Sequence, residues 1–113
     1  MHEFGLCEGI LGAVERRAAG RRVSRVRVRV GTLHQVVAPA LDQAFAMVSA
    51  GGVAEDAGVD LVLVPATCRC RTCGHEGDAE DVLAVCAGCG SPDVELSGGD
   101  ELTLESIELA ANQ

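Results

Sequence analysis

Four of the six cysteines fall into two C-x-x-C pairs, Cys70-Arg71-Thr72-Cys73 and Cys86-Ala87-Gly88-Cys89, with residues 74–85 between them. A two-residue spacer lets both sulfurs of a pair reach one ion from a tight turn, and four thiolates satisfy the tetrahedral preference of Zn2+. Gly74 and Gly90 follow the pairs, where a positive φ can carry the backbone past the metal. Four sulfur ligands leave no coordination position for water or substrate, so the expected ion is structural rather than catalytic. The segment around the pairs is small and nearly coreless, so metal binding is expected to fold it.

The remaining thiols and the nearby imidazole have plainer readings. Cys68 is read as a spare thiol beside the site, with an alternate ligand as the competing reading. His75 is read as a loop histidine, because two complete pairs leave it no vacancy. Cys7 is read as a small buried hydrophobe. A redox dithiol would need a thioredoxin-like βαβ setting, which the order of elements does not supply.

A second constellation opens the chain as Met1-His2-Glu3. Taken alone, a histidine at position two is usually a solvated terminal residue. An α-amine, the adjacent backbone amide nitrogens and an imidazole can nevertheless wrap a planar four-nitrogen site, the arrangement Ni(II) or Cu(II) favours.

The elements that must hold these groups are legible in the spacing. Leu6, Ile10, Ala13 and Val14 predict a helix from residue 4 to about 19 that stops at Gly20, although Gly5, Gly9 and Gly12 weaken it. Ser24 to Val30 alternates strictly, placing Val26, Val28 and Val30 on one sheet face and Arg25, Arg27 and Arg29 on the other. Pro39 then starts a second helix with an apolar stripe of Leu41, Ala44, Phe45 and Val48, ending before Gly51-Gly52. Val59 to Val64 is an apolar run read as a strand buried on both faces and closed by Pro65. Alternation returns at Leu102-Thr103-Leu104-Glu105, predicting a last strand over 101–108 that rejoins the main sheet. The fold class is α/β: a two-layer body of two helices on a small mixed sheet, residues 1–67 and 97–113, with an inserted zinc-ribbon-like knuckle lobe at 68–96.

Composition narrows the function. The chain has 113 residues and a formal charge of −8, with only Phe4 and Phe45 as aromatics. That suits one compact domain, or a small one with a metal-stapled lobe. It argues against a base-stacking nucleic-acid binder. All nine basic residues are arginine, seven of them between Arg16 and Arg29, which leaves room for a local basic patch. No apolar run reaches the length of a membrane span and no secretory pattern opens the chain, so a reducing cytoplasm is the expected compartment. Paired cysteines there favour metal over disulfides.

The whole chain resembles the HypA/HybF family of hydrogenase nickel-incorporation proteins. The matching pieces are Met1-His2-Glu3; Gly31-Thr32-Leu33; Pro39-Ala40-Leu41-Asp42-Gln43-Ala44-Phe45; Ala54-Glu55-Asp56-Ala57; the two cysteine knuckles; and Gly99-Asp100-Glu101-Leu102 leading to Ser106-Ile107-Glu108. The resemblance implies a nickel site on His2, with the Met1 amine and the Glu3 backbone contributing, and a structural zinc on Cys70, Cys73, Cys86 and Cys89. It further implies a non-enzymatic metallochaperone that passes Ni(II), with a GTPase partner, to the precursor of the [NiFe] hydrogenase large subunit. Urease accessory proteins are a second destination that the resemblance permits. Phe4-Gly5 departs from the family's aliphatic-then-serine, and no carboxylate between Gly31 and Leu41 offers an extra nickel ligand. The runner-up is a zinc-ribbon protein-interaction or nucleic-acid adaptor. Monomer and homodimer both stay open.

Overall fold

The computed structural model describes residues 2–79 and 85–111, the side chain of His2 excepted. The order of elements is α1 (His2–Ala18), β1 (Val23–Gly31), a short 3-10 turn (Thr32–His34), α2 (Ala38–Ser49), β2 (Gly58–Val64), β3 (Ala66–Cys70), β4 (Glu76–Ala79), β5 (Val94–Ser97) and β6 (Leu102–Leu109). The strands form two three-stranded sheets, ordered β2-β1-β6 and β4-β3-β5. Thus the α/β class stands, with the expected small sheet present as two. The last strand does rejoin β1.

The chain divides into two compact units. One holds Met1–Arg29, Val36–Val62 and Thr103–Gln113, the other Val30–Gln35 and Leu63–Leu102. The second is wider than the 68–96 span read from the cysteines. Its extra residues are accounted for by main-chain pairing within that unit: the Gly31 amide donates to Glu101 O at 2.8 Å and the Leu33 amide to Gly99 O at 2.9 Å. The approach is so close that a Cβ on Gly31 would fall 1.9 Å from the Gly99 carbonyl oxygen, and one on Gly99 would fall 2.6 Å from the Ala66 Cβ. Gly99 also has a φ of +78°, a region open to glycine and costly for other residues.

In the first unit, helical periodicity puts Cys7, Ile10, Val14 and Ala18 on the buried stripe of α1, with Glu3 at its start. Leu6 and Ala13, expected on that stripe, are only half-buried. α1 ends where Ala19 and Gly20 turn left-handed. Leu41, Ala44 and Phe45 face inward from α2, joined by Ser49. Val23, Val26 and Val28 are buried along this unit's part of β1, each at most 1% exposed. The Cys7 thiol donates to the Leu41 carbonyl at 3.5 Å, tying α1 to α2.

β2 departs from expectation. It is an edge strand of its sheet, half-buried along its length except at Leu63, which is 51% exposed. Doubly buried strands need helices on both sheet faces, and the described residues supply two helices in all.

The arginine face of β1 is laced by ion pairs. Arg25 Nε meets Asp60 Oδ2 at 3.1 Å while its Nη2 pairs with the other oxygen. Arg27 Nε meets Glu105 Oε2 at 2.6 Å, and Arg29 lies 3.8 Å from the same carboxylate. Arg25 draws the Asp60 carboxyl below the usual range, chiefly through its hydrogen bond.

Candidate metal centre

The two knuckles are built alike, and the local hydrogen bonds show why the sequence folds that way. Cys70 ends β3, and its sulfur accepts the amides of Thr72 and Cys73 at 3.3 and 3.4 Å. Cys86 repeats this with Gly88 and Cys89, again at 3.3 and 3.4 Å. Each turn is closed by the following glycine, Gly74 donating to Cys70 O at 3.0 Å and Gly90 to Cys86 O at 2.8 Å. Both glycines carry positive φ, 80° and 76°. Such a turn needs that conformation, and a side chain there would be strained.

The knuckles face one another across a small space. Cys70 and Cys89 sulfurs are 3.7 Å apart, Cys73 and Cys86 sulfurs 3.5 Å apart. All four lie within 4.8 Å of each other. A tetrahedron with metal–sulfur bonds of about 2.3 Å has edges of about 3.8 Å, so the donor set fits a four-coordinate ion. None of the six cysteines is in a disulfide.

The electrostatics also suit a cation. The Cys73 amide, then the Thr72 amide and the sulfurs of Cys89 and Cys73, bring the Cys70 thiol down to about 6 against opposing burial. Cys86 is lowered in the same way, first by the Cys89 amide. Amides of His75 and Ser91 pull Cys73 and Cys89 downward, yet neighbouring sulfurs and burial prevail and both end raised, Cys89 to about 12. A divalent ion among the sulfurs would favour the thiolate form of all four.

Side chains clasp the knuckles together from outside. Thr72 Oγ1 lies 3.1 Å from Ser91 Oγ. Arg71 reaches Asp93 at 3.0 Å, Glu95 at 3.5 Å and the Val94 carbonyl at 3.3 Å. These contacts went unread in the sequence, although Arg71 against Asp93 and Glu95 is a charge pattern that could have suggested them. Cys68 is buried on β3 in the small core with Ala66 and Ala79, packed by Leu33, Val94 and Leu96. It is thus a core residue beside the site.

At the other constellation, α1 begins at His2. Met1 and the His2 side chain lie outside the described residues. Glu3, expected to contribute only backbone, has a buried side chain whose Oε2 accepts the Val37 amide at 3.4 Å. A buried carboxylate at a helix start is stabilised by such an amide and by the helix dipole. The carboxylate also helps keep the nearby Cys7 thiol neutral: burial first, then Glu3 and Asp42, push Cys7 up to about 11. Cys7 is therefore a core thiol.

Comparison with known proteins agrees with this architecture. A family model described as "Hydrogenase/urease nickel incorporation, metallochaperone, hypA" matches residues 1–109. The hydrogenase maturation factor HypA of Nitrosospira multiformis is 35% identical over 112 residues, covering 96% of this chain and 97% of that protein. The factor of the same name from Rhodobacter capsulatus is 37% identical, covering 96% and 99%. Among solved structures, the solution structure of a HypA protein superposes with a TM-score of 0.64 at 26% identity, covering 99% of this chain and 98% of that one. That of the Ni metallochaperone HypA from Helicobacter pylori gives 0.62 at 24% identity over 97% and 98%, a likeness of fold.

Proposed function

The chain belongs to the HypA family of hydrogenase/urease nickel-incorporation metallochaperones, and from that premise we propose that it holds Ni(II) at its N-terminus and delivers it during hydrogenase maturation. The ligands in this proposal are the Met1 amine, the His2 imidazole and backbone nitrogen at His2 and Glu3. Cys70, Cys73, Cys86 and Cys89 hold a structural Zn2+. The recipient is the [NiFe] hydrogenase large-subunit precursor, reached with a nickel-handling GTPase in the cytoplasm, and the protein catalyses nothing itself.

The observation that carries the nickel assignment is the helix start. Because α1 begins at His2, the first amides stand where helix N–H groups point out of the helical ladder. The buried Glu3 carboxylate, bonded to the Val37 amide, ties that first turn to the segment before α2. Beside it, Glu3, Phe4, Ala40, Gln43, Ala44 and Met47 line a groove of about 350 Å3. Phe4 and Met47 are 37% and 69% exposed there, which suits a partner that takes up the metal.

Transfer would proceed by ligand exchange. The chain's own groups hold the ion and release it as an incoming donor displaces them, with protons returning to the amine, imidazole and amide positions. Zinc would close the knuckle unit and take no part. The test is maturation in cells: His2→Ala should leave the protein folded and zinc-loaded but the hydrogenase large subunit empty of nickel. A nickel-loaded large subunit in that strain would overturn the proposal.

A further inference from the structure

The seven arginines between residues 16 and 29 divide into two sets that the sequence does not distinguish. Arg25, Arg27 and Arg29 stand on β1, and all three find carboxylates within the protein. Arg16, Arg17, Arg21 and Arg22 stand at the last turn of α1 and the turn after it. They are all exposed, and among the described residues none has a carboxylate within 4.0 Å. The local backbone keeps them close together: the Ala19 amide bonds Glu15 O at 3.1 Å and the Arg21 amide bonds Ala18 O at 3.1 Å. At the far end of this segment Arg22 O accepts the Ala110 amide at 2.8 Å, so the turn is fixed.

Arg16 and Arg17 have one ordinary explanation, since cations in a last turn complement the helix dipole. Arg21 and Arg22 lie past the helix end and gain little from it. Four like charges over seven residues, uncompensated in a chain of net charge −8, form a local reversal of sign. Screening confines that reversal to about 8–10 Å at ordinary salt.

We propose that this end of α1 is a docking site for an acidic polypeptide segment. Three observations favour carboxylates over a nucleic acid or an anionic bilayer. A long polyanion would meet the −8 of the whole chain, whereas a short acidic segment meets only the local field. Of the chain's two aromatic residues, Phe45 is buried and Phe4 lies in the first turn of α1, so bases would have no stacking partner at the cluster. Guanidinium forks match carboxylate geometry, and the Arg25–Asp60 pair shows that two-point contact in this same protein. The site is independent of the nickel assignment.

The test uses a fluorescein-labelled peptide of alternating Glu and Asp, a single-stranded oligonucleotide of equal length and phosphatidylglycerol vesicles, each titrated with zinc-loaded protein. The peptide should bind, weakening as salt rises from about 50 to 200 mM, and more tightly than the oligonucleotide or vesicles. Replacing Arg16, Arg17, Arg21 and Arg22 by Gln should weaken the peptide about tenfold or more. Arg21→Gln with Arg22→Gln, outside the helix, should give an intermediate loss with unchanged circular dichroism. Gln at Arg25, Arg27 and Arg29 should change it less than about twofold. The proposal fails if native protein ignores the peptide, if the oligonucleotide or vesicles bind better, or if the four-residue variant binds the peptide as native protein does.

Discussion

The helical unit and the knuckle unit are held together by different forces. In the first, Phe45, Leu41, Val14, Val26 and Val28 are each at most 2% exposed, and burying side chains of that size supplies roughly 1.5–3 kcal/mol apiece. In the second, the described residues form a small buried apolar cluster of Ala66, Cys68 and Ala79, with Leu33, Val94 and Leu96 only partly covered. A cluster of that size supplies little against the conformational entropy of three strands and two turns. Its four clustered sulfurs are the alternative. On the proposed reading, metal is thus part of the fold in the knuckle unit, while the helical unit would carry its nickel on a scaffold that stands without it.

Removing the knuckle metal should have the largest effect. A strong chelator, or Cys73→Ala, should abolish the β3–β5 structure, since structural zinc in small domains supplies about 10–16 kcal/mol of apparent folding free energy. The helical unit should keep its α-helical circular dichroism. Loss of both together would erase the contrast.

Phe45→Ala tests the opposite side. It should cost about 3–5 kcal/mol in denaturant unfolding of the helical unit, with zinc content unchanged. Gly31→Ala sharpens the contrast within the knuckle unit, where one contact depends on bare backbone. Its Cβ would fall against the Gly99 carbonyl, so the zinc-loaded protein should lose about 1–3 kcal/mol.

A smaller effect follows from Cys7. Its folded-state value, about 11, lies above the ordinary 9.0, so the neutral thiol is favoured in the core. The resulting stability is complete below the unfolded value and is lost as pH rises from about 9 towards 11. Cys7→Val should remove that alkaline loss from denaturation curves. The smallest effect belongs to Arg25 and Asp60. Asp60 is held below its usual range by Arg25, so the stability it adds is present above about pH 4 and fades as pH falls through its folded value. Both groups are open to solvent, and Asp60→Asn should shift acid unfolding only slightly.

The parts most legible in the sequence were those where one residue type answers to one local demand. Paired cysteines followed by glycine read as two tight turns that bring four sulfurs together, and alternating Val and Arg marked both faces of β1. What stayed hidden depends on neighbours far along the chain. Val59 to Val64 reads the same whether a sheet continues on both sides or stops, so β2 looked like an inner strand. Ala66-Thr67-Cys68-Arg69-Cys70 alternates buried and exposed, but its small inward residues carry too weak a hydrophobic signal to announce a strand. Gly31 and Gly99 revealed their purpose only once the two segments met. The burial of the Glu3 carboxylate against the Val37 amide was overlooked because that amide is a backbone group that no side-chain pattern records.

The separation of a metal that builds the fold from a metal that is carried can be tested most directly by calorimetric titration of Ni(II) into zinc-loaded, untagged protein. Native protein, a form with two residues added before Met1, and His2→Ala would be compared. The extension turns the α-amine into an ordinary amide and leaves every side chain in place. Extension and His2→Ala should each remove nickel binding while the zinc stays at one per chain and the circular dichroism is unchanged. Nickel bound as well by both altered proteins as by the native one would contradict the account.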